Sequence, residues 1–149
     1  MDGIDKGTLI IGGGLIGLSI GWRLRLRGEP VTLLERGETG GAASWAGAGM
    51  LAPVGEVHFQ EDANLRLGQE SLRLYPEFVK ELEAYTGQSV GYRSEGGLKI
   101  SLHADDTAEL RHLFDYQQKL DLPVRWLSGR EAQELEPALS HNVVAAVYS

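Results

Sequence analysis

The chain has 149 residues, of which 21 are acidic and 14 are basic, so it carries a formal net charge of −7. This acidic balance, without a basic face interleaved with aromatic residues, argues against nucleic acid as a partner. The lack of cysteine excludes disulfides, iron–sulfur ligation and a thioether-linked cofactor within this segment.

The first predicted elements are a strand, a glycine-rich loop and a helix. Leu9 to Ile11 is a continuous apolar run, typical of a strand that is buried on both faces of a parallel sheet. From Leu15 to Leu26 apolar residues recur at helical spacing, and Gly28 to Pro30 ends the segment. Val31 to Leu34 then predicts a second strand. We therefore expect a βαβ unit at the start of an α/β fold.

The loop after the first strand has the G-x-G-x-x-G pattern. Gly12 permits a tight turn, Gly14 leaves room for a pyrophosphate at the positive end of the helix, and Gly17 permits close packing of helix and strand. Glu35 follows the second strand, where a carboxylate accepts hydrogen bonds from both hydroxyls of an adenosine ribose and repels a 2′-phosphate. This pairing predicts a dinucleotide site that disfavours NADP. The alternative interpretation is a glycine-rich turn in an ordinary α/β domain.

A run of small residues from Gly40 to Pro53 follows. It has too few bulky side chains to form a core, and it suits backbone that passes close to a large flat ligand. An NAD-binding domain would usually continue directly with another βαβ unit, so a loop of this length favours a flavin over a nicotinamide. A flexible linker and a nicotinamide-dependent dehydrogenase are the alternatives.

Together these segments resemble the amino-terminal part of the D-amino acid oxidase superfamily of FAD enzymes. The matching residues are Ile10 to Gly17, Val31 to Arg36 and Ala43 to Pro53, and the last segment is similar to the glycine oxidase-like members. The resemblance implies an enzyme of thiamine biosynthesis that oxidises the C–N bond of glycine or a similar small amino acid to the imine. Oxygen would accept the electrons, and the products would be a keto acid, ammonia and hydrogen peroxide. The alternatives are another FAD-dependent amino acid dehydrogenase, such as the D-amino acid or sarcosine type, or an inactive truncated fragment.

The resemblance also implies the residues of a non-covalent FAD site. They are Gly12, Gly14, Leu15, Ile16 and Gly17 at the pyrophosphate, Glu35 and Arg36 at the adenosine, and Ala43, Ser44, Ala48, Gly49 and Met50 from the phosphates to the flavin. It implies no catalytic residue within this chain, because the groups that hold the substrate come from sequence beyond Ser149 in such enzymes. We therefore expect an amino-terminal fragment that is inactive alone and a full-length enzyme that is a homo-oligomer.

The remaining sequence predicts a second domain. Fourteen of the 20 glycines fall within residues 1 to 55, so we assign 1–55 to the FAD-binding domain and 56–149 to the start of an α+β substrate domain. The first predicted helix runs from Asp62 to about Tyr85, and Pro76 would restart or kink it. A second helix is predicted from Asp106 to Leu120, and a short third one begins at a capping box, Ser128-x-x-Glu131. A second capping box is predicted at Asp106-x-x-Glu109, and the predicted strands are Ser89 to Arg93, Gly97 to Leu102, Val124 to Leu127 and Val143 to Tyr148.

Metal and membrane partners find no support in the sequence. His58, His103, His112 and His141 are scattered without ligand spacing, so we predict no metal site. No apolar run is long enough to span a membrane, and Met1 to Asp5 lacks the basic residues of a signal peptide. We expect a cytoplasmic protein.

Overall fold

The computed structural model describes residues 7–57 and 62–149. Contacts within the chain divide it into two compact units, Met1–Met50 and Leu51–Ser149. The interpretations of Met1 to Asp5 and of His58 lie outside the described residues. The assignment of 1–55 and 56–149 to two enzyme domains stays a prediction.

The first unit contains the βαβ arrangement. Strand β1 (Thr8–Ile11) leads into helix α1 (Leu15–Leu26), and strand β2 (Val31–Leu34) pairs with β1 in parallel. The helix lies close to the strands because Gly21 of α1 is buried, and a Cβ there would lie 3.3 Å from Ile10 Cδ1. The strand, helix and strand predicted from the apolar pattern are confirmed.

The burial predicted for β1 was wrong. Leu9 is 56% exposed and Ile11 is 83% exposed. Within the described residues this sheet consists of β1 and β2 alone, and α1 packs against it. A strand becomes buried on both faces only when further strands and a second layer cover it, and this unit does not supply them.

The small-residue segment from Gly40 to Pro53 is not a loop throughout. A short helix, α2 (Ala43–Ala46), lies within it. The backbone turns through positive φ angles at Gly40 (+76°), Ala42 (+53°) and Gly49 (+79°) on either side of this helix. The alanines favour a helical turn, and the glycines limit its length.

The second unit is an antiparallel sheet with helices. Its elements are α3 (Asp62–Thr86), β3 (Leu98–Ser101), α4 (Ala104–Lys119), β4 (Arg125–Ser128), α5 (Gly129–Leu135) and β5 (Ala145–Tyr148), and the strand order is β3-β5-β4. Leu110 and Phe114 of α4 pack against Val147, whereas Ala132 of α5 packs against Ala146. Because neighbouring residues of a strand point to opposite faces, α4 and α5 cover opposite faces of the sheet. No helix in the part of the chain that the structure describes combines the length and apolarity needed to cross a bilayer.

The segment from Ser89 to Arg93 is not the predicted strand. Glu83 Oε1 of α3 accepts hydrogen bonds from Ser89 Oγ at 3.0 Å and from the Val90 N–H at 2.8 Å. Gly91 has a φ of +67°, which turns the backbone out of an extended conformation. These contacts bind the segment to the last part of α3 instead of to a sheet. Helix α3 itself continues through Pro76, where the sequence predicts a kink or a restart.

The predicted capping box at Asp106-x-x-Glu109 was also wrong. Helix α4 begins earlier, at Ala104, with His103 in the N-cap position. Asp106 therefore lies in the first turn, where its carboxylate accepts a hydrogen bond from the Leu102 N–H at 3.4 Å. An acidic residue is favourable in either place, because both lie at the positive end of the helix dipole, so the sequence did not distinguish them.

Ser128 and Glu131 form the predicted capping box at α5. The Glu131 N–H donates to Ser128 Oγ at 3.3 Å, and the Ser128 N–H donates to Glu131 Oε2 at 2.8 Å. Hydrogen bonds from the Ser128 hydroxyl and N–H hold the pKa of Glu131 below its usual value. We expect Ser128→Ala to lower the free energy of unfolding by about 1 kcal/mol, measured by urea denaturation. Ser94→Ala, at an exposed position outside the helices and strands, is the control, and equal midpoints for the two variants would contradict the capping role.

Candidate dinucleotide site

The glycine-rich loop joins β1 to α1 through a turn that requires glycine. Gly12 has a φ of +107°, and its N–H donates to the Leu34 carbonyl at 2.8 Å, which ties the turn to the end of β2. A Cβ at Gly17 would overlap the carbonyl oxygen of Gly12. Helix α1 therefore begins directly against the loop, as the motif predicts.

The first turn of α1 presents backbone donors. The Leu15 N–H donates to Ser44 Oγ at 2.9 Å, and Gly14 at the N-cap has no side chain of its own to cap the helix. No described residue accepts a hydrogen bond from the N–H groups of Ile16 and Gly17. Helix N-termini with such donors bind anions, and the helix dipole adds to the attraction. The arrangement can hold a phosphate group.

Glu35 lies against the glycine loop. Its Oε2 accepts a hydrogen bond from the Gly13 N–H at 2.7 Å, and its Oε1 accepts one from the Gly37 N–H at 2.8 Å. These backbone bonds, from Gly37 and then Gly13, hold the pKa of Glu35 below its usual value, so the side chain is ionised at neutral pH. A carboxylate has about four acceptor positions, so Glu35 can also accept from ligand hydroxyls.

Two contacts bring the start of the small-residue segment to the same loop. Ser44 accepts from Leu15, as described, and the Gly40 N–H donates to the Gly13 carbonyl at 2.8 Å. The structure therefore brings together the predicted residues Gly12, Gly14, Leu15, Ile16, Gly17, Glu35 and Ser44. Ala43 lies beside them in α2, whereas the exposed residues Arg36, Ala48, Gly49 and Met50 form no side-chain hydrogen bond to the glycine loop within the described residues.

Sequence reasoning missed Gly13, which occupies a variable position of the motif. It is buried, its N–H binds Glu35 and its carbonyl binds Gly40. A Cβ at Gly13 would lie 3.1 Å from Glu35 Cβ and 3.2 Å from Leu33 Cδ2. The signal that could have found it is the run of three consecutive glycines, since the motif itself requires only the first and the third.

Metal ligands do not cluster in residues 7–57 and 62–149. No group of three or more histidine, aspartate or glutamate side chains is close enough there to hold an ion. The glycine loop and its neighbours present backbone N–H donors, the Glu35 carboxylate and the Ser44 hydroxyl.

The chain is similar to a family described as FAD dependent oxidoreductase (DAO), which matches residues 8–149. The glycine oxidase of Geobacillus kaustophilus is 34% identical over 136 residues, covering 91% of this chain and 36% of that protein. The bifunctional protein ThiO/ThiG of Trichormus variabilis is 38% identical over 141 residues, covering 95% of this chain and 21% of that protein. The crystal structure of glycine oxidase from Geobacillus kaustophilus superposes with a TM-score of 0.86 at 33% identity, over 94% of this chain and 38% of that one. The chain thus spans little more than a third of the length of these glycine oxidases, and the predicted Rossmann-like α/β class is confirmed.

Proposed function

Because the chain belongs to the DAO family of FAD-dependent oxidoreductases, we propose that its first unit supplies the nucleotide half of an FAD site. The full-length enzyme would oxidise the C–N bond of glycine or a similar small amino acid. The observation that carries the proposal is the joining of the glycine loop to Glu35 through Gly13 and to Ser44 through Leu15. The similarity to proteins named glycine oxidase supports the choice of a small amino acid.

The residues present fit the pyrophosphate and the adenosine ribose of FAD. The N–H groups of Ile16 and Gly17 point from the first turn of a helix and have no described protein acceptor. Gly14 keeps side-chain atoms away from this turn, because a Cβ there would already lie 3.1 Å from Ser44 Oγ. Glu35 is ionised beside the same loop and would accept from the ribose hydroxyls. When bound, FAD supplies a two-electron acceptor for the amine.

The role of this chain is to hold the cofactor. Ser44 Oγ accepts from Leu15, so its own hydroxyl proton can be donated to a phosphate oxygen. Arg36 would contact the adenosine, and Ala43, Ala48, Gly49 and Met50 would continue towards the flavin ring. None of these residues has a cysteine, histidine or tyrosine side chain that could be linked to the flavin, so they would hold FAD non-covalently.

The substrate and the assembly stay predictions. The proposal includes no substrate-binding group within this chain, so D-amino acid and sarcosine oxidation are the alternative activities. Oxygen as electron acceptor, a role in thiamine biosynthesis, a homo-oligomeric enzyme, a cytoplasmic location and the inactivity of residues 1–149 alone are proposed on the same resemblance.

The full-length gene product tests the proposal. We expect the purified protein to be yellow, with flavin absorbance, and to produce hydrogen peroxide from glycine, sarcosine or D-alanine. A colourless protein that does not bind added FAD would overturn the cofactor assignment. A flavin-containing protein that produces no peroxide with any of the three amines would overturn the oxidase activity and leave the cofactor site intact.

Replacing Glu35 tests the adenosine end of the site. We expect Glu35→Gln in the full-length protein to raise the dissociation constant of FAD about tenfold, because one carbonyl oxygen cannot replace two charged acceptors. The measurement is a fluorescence titration of the apoprotein with FAD. Glu38→Gln is the matched control, because Glu38 is an exposed acid three residues further along the chain. Equal dissociation constants for the two variants would remove Glu35 from the site.

The same carboxylate gives the glycine loop a defined pH dependence. The folded pKa of Glu35 is lowered, so its bonds to Gly37 and Gly13 stabilise the folded loop fully above the ordinary carboxyl pKa of about 4.3. This stabilisation is lost as the pH falls through the lower, folded pKa. Glu35→Gln lacks the ionisable group and should therefore lose less stability on acidification than the wild-type protein.

A further inference from the structure

Gln117 of α4 is a buried polar side chain that the dinucleotide site does not explain. It is 1% exposed, and its Nε2 donates to the Val54 carbonyl at 2.8 Å. Its Oε1 is also buried and has no hydrogen-bond partner within the described residues. Burying half of an amide unpaired is unfavourable, and an apolar residue would avoid that cost. The hydrogen bond to the Val54 carbonyl is therefore what a polar residue provides at this position and an apolar residue could not.

The turn that contains Val54 is held at further points within the second unit. The Glu56 N–H donates to the Ala52 carbonyl at 2.9 Å, which closes the turn. Pro53 lies directly on helix α3, because a Cβ at Gly68 would be 2.7 Å from Pro53 Cβ. Val54 itself packs against the apolar cluster of Val57, Leu65 and Leu122. The turn is therefore fixed to α3 and α4.

This turn comes directly after the residues proposed to approach the flavin, since Val54 is the fourth residue after Met50. The segment from Ala43 to Pro53 is rich in glycine and alanine, so few of its own side chains can hold it in one conformation. Its amino end is tied by the bond between Ser44 and Leu15. Its carboxyl end is tied by the bond between Gln117 and Val54.

We propose that Gln117 is a positioning residue for FAD, because it holds the carboxyl end of this segment in place before the cofactor binds. Restricting a flexible segment beforehand lowers the entropy lost on binding. Gln117 acts through Val54 and the backbone that precedes it, without touching the cofactor. The inference rests on the proposed FAD site.

The test replaces Gln117 by leucine in the full-length protein. We expect the FAD dissociation constant to rise about tenfold, because the segment is then ordered only on binding. Gln133→Leu is the matched control, since Gln133 Nε2 donates to the Ser140 carbonyl at 3.0 Å in the same unit and has no link to this segment. We expect the control to change the melting temperature alone.

A second variant keeps the test decisive if the leucine variant does not fold. In Gln117→Glu a protonated carboxyl can donate to the Val54 carbonyl, whereas an ionised one cannot, and burial favours protonation. We expect FAD affinity near that of the wild type at acidic pH and weaker affinity at alkaline pH. Wild-type affinity in Gln117→Leu, or equal weakening of Gln117→Glu at both pH values, would overturn the inference. Failure of the wild-type protein itself to bind FAD would instead overturn the proposed function.

Discussion

Replacing Gly17 by alanine should weaken FAD binding by up to about a hundredfold in the full-length protein. The added Cβ would overlap the carbonyl oxygen of Gly12 and lie 3.3 Å from Ile10 Cγ2. Neither neighbour can move without displacing the turn or β1, and overpacking of this kind costs about 1–3 kcal/mol, of which the upper end corresponds to about a hundredfold. The shift also moves the N–H groups at the start of α1. The measurement is the flavin content of the purified protein, followed by titration of the apoprotein.

Gly47→Ala provides the control within the same unit. A Cβ at Gly47 would lie 3.5 Å from the nearest carbonyl oxygen, an ordinary van der Waals distance, and the φ angle of −65° suits any residue. We expect this variant to retain FAD as the wild-type protein does. Equal retention by Gly17→Ala would show that the turn is not held as described.

Gly129→Ala should destabilise the second unit more than Ser128→Ala does. Gly129 is the buried first residue of α5, and its N–H donates to the Val144 carbonyl at 3.0 Å. An added Cβ would overlap the carbonyl oxygen of Val143 and lie 2.9 Å from the carbonyl carbon of that residue. Both atoms belong to backbone that leads into the central strand β5, so we expect a loss of about 3 kcal/mol or more, seen as a lower melting temperature and faster proteolysis.

The control for this substitution is Gly97→Ala. Among the described residues other than Gly97 and its two chain neighbours, no atom lies within 4 Å of the position of a Cβ at Gly97, and its φ angle is outside the left-handed region. We expect the melting temperature of this variant to match that of the wild type. If Gly129→Ala had the same melting temperature as Gly97→Ala, α5 would not lie against the segment before β5.

The parts of the fold that the sequence predicted depend on residues close together in the chain. The bounds of α1 and β2 follow from apolar spacing and from the glycine and proline between them. Ser101 shows the limit of such patterns. The alternation of Leu98, Ile100 and Leu102 indicates a strand but gives no sign that Ser101 is 1% exposed. Its hydroxyl accepts from Thr107 and donates at 3.3 Å to the carbonyl of Ala145, which lies 44 positions away and is brought near only when the sheet forms.

In the candidate site, too, some residues could be predicted from local spacing and others could not. Glycines 12, 14 and 17 and Glu35 could be found from spacing, because the motif encodes a local turn and the residue at the end of the next strand. The bond from Leu15 to Ser44 joins residues 29 positions apart, and that from Gln117 to Val54 joins residues 63 positions apart. Neither bond has a local signature, so the role of Gln117 emerged only from its burial and its unpaired oxygen.

The short separations between the bonded residues of the first unit also bear on the order in which the chain folds. The bonds that shape the glycine loop, from Gly13 to Glu35 and from Leu15 to Ser44, all close within the first 44 residues of the chain. The residues joined by these bonds lie 22 and 29 positions apart, whereas Ser101 and Ala145 in the sheet of the second unit lie 44 positions apart. Loops that close over shorter separations form faster, so we expect the glycine loop to form before that sheet. The exposed side chains of Leu9 and Ile11 add apolar surface of the kind that promotes aggregation of partly folded chains.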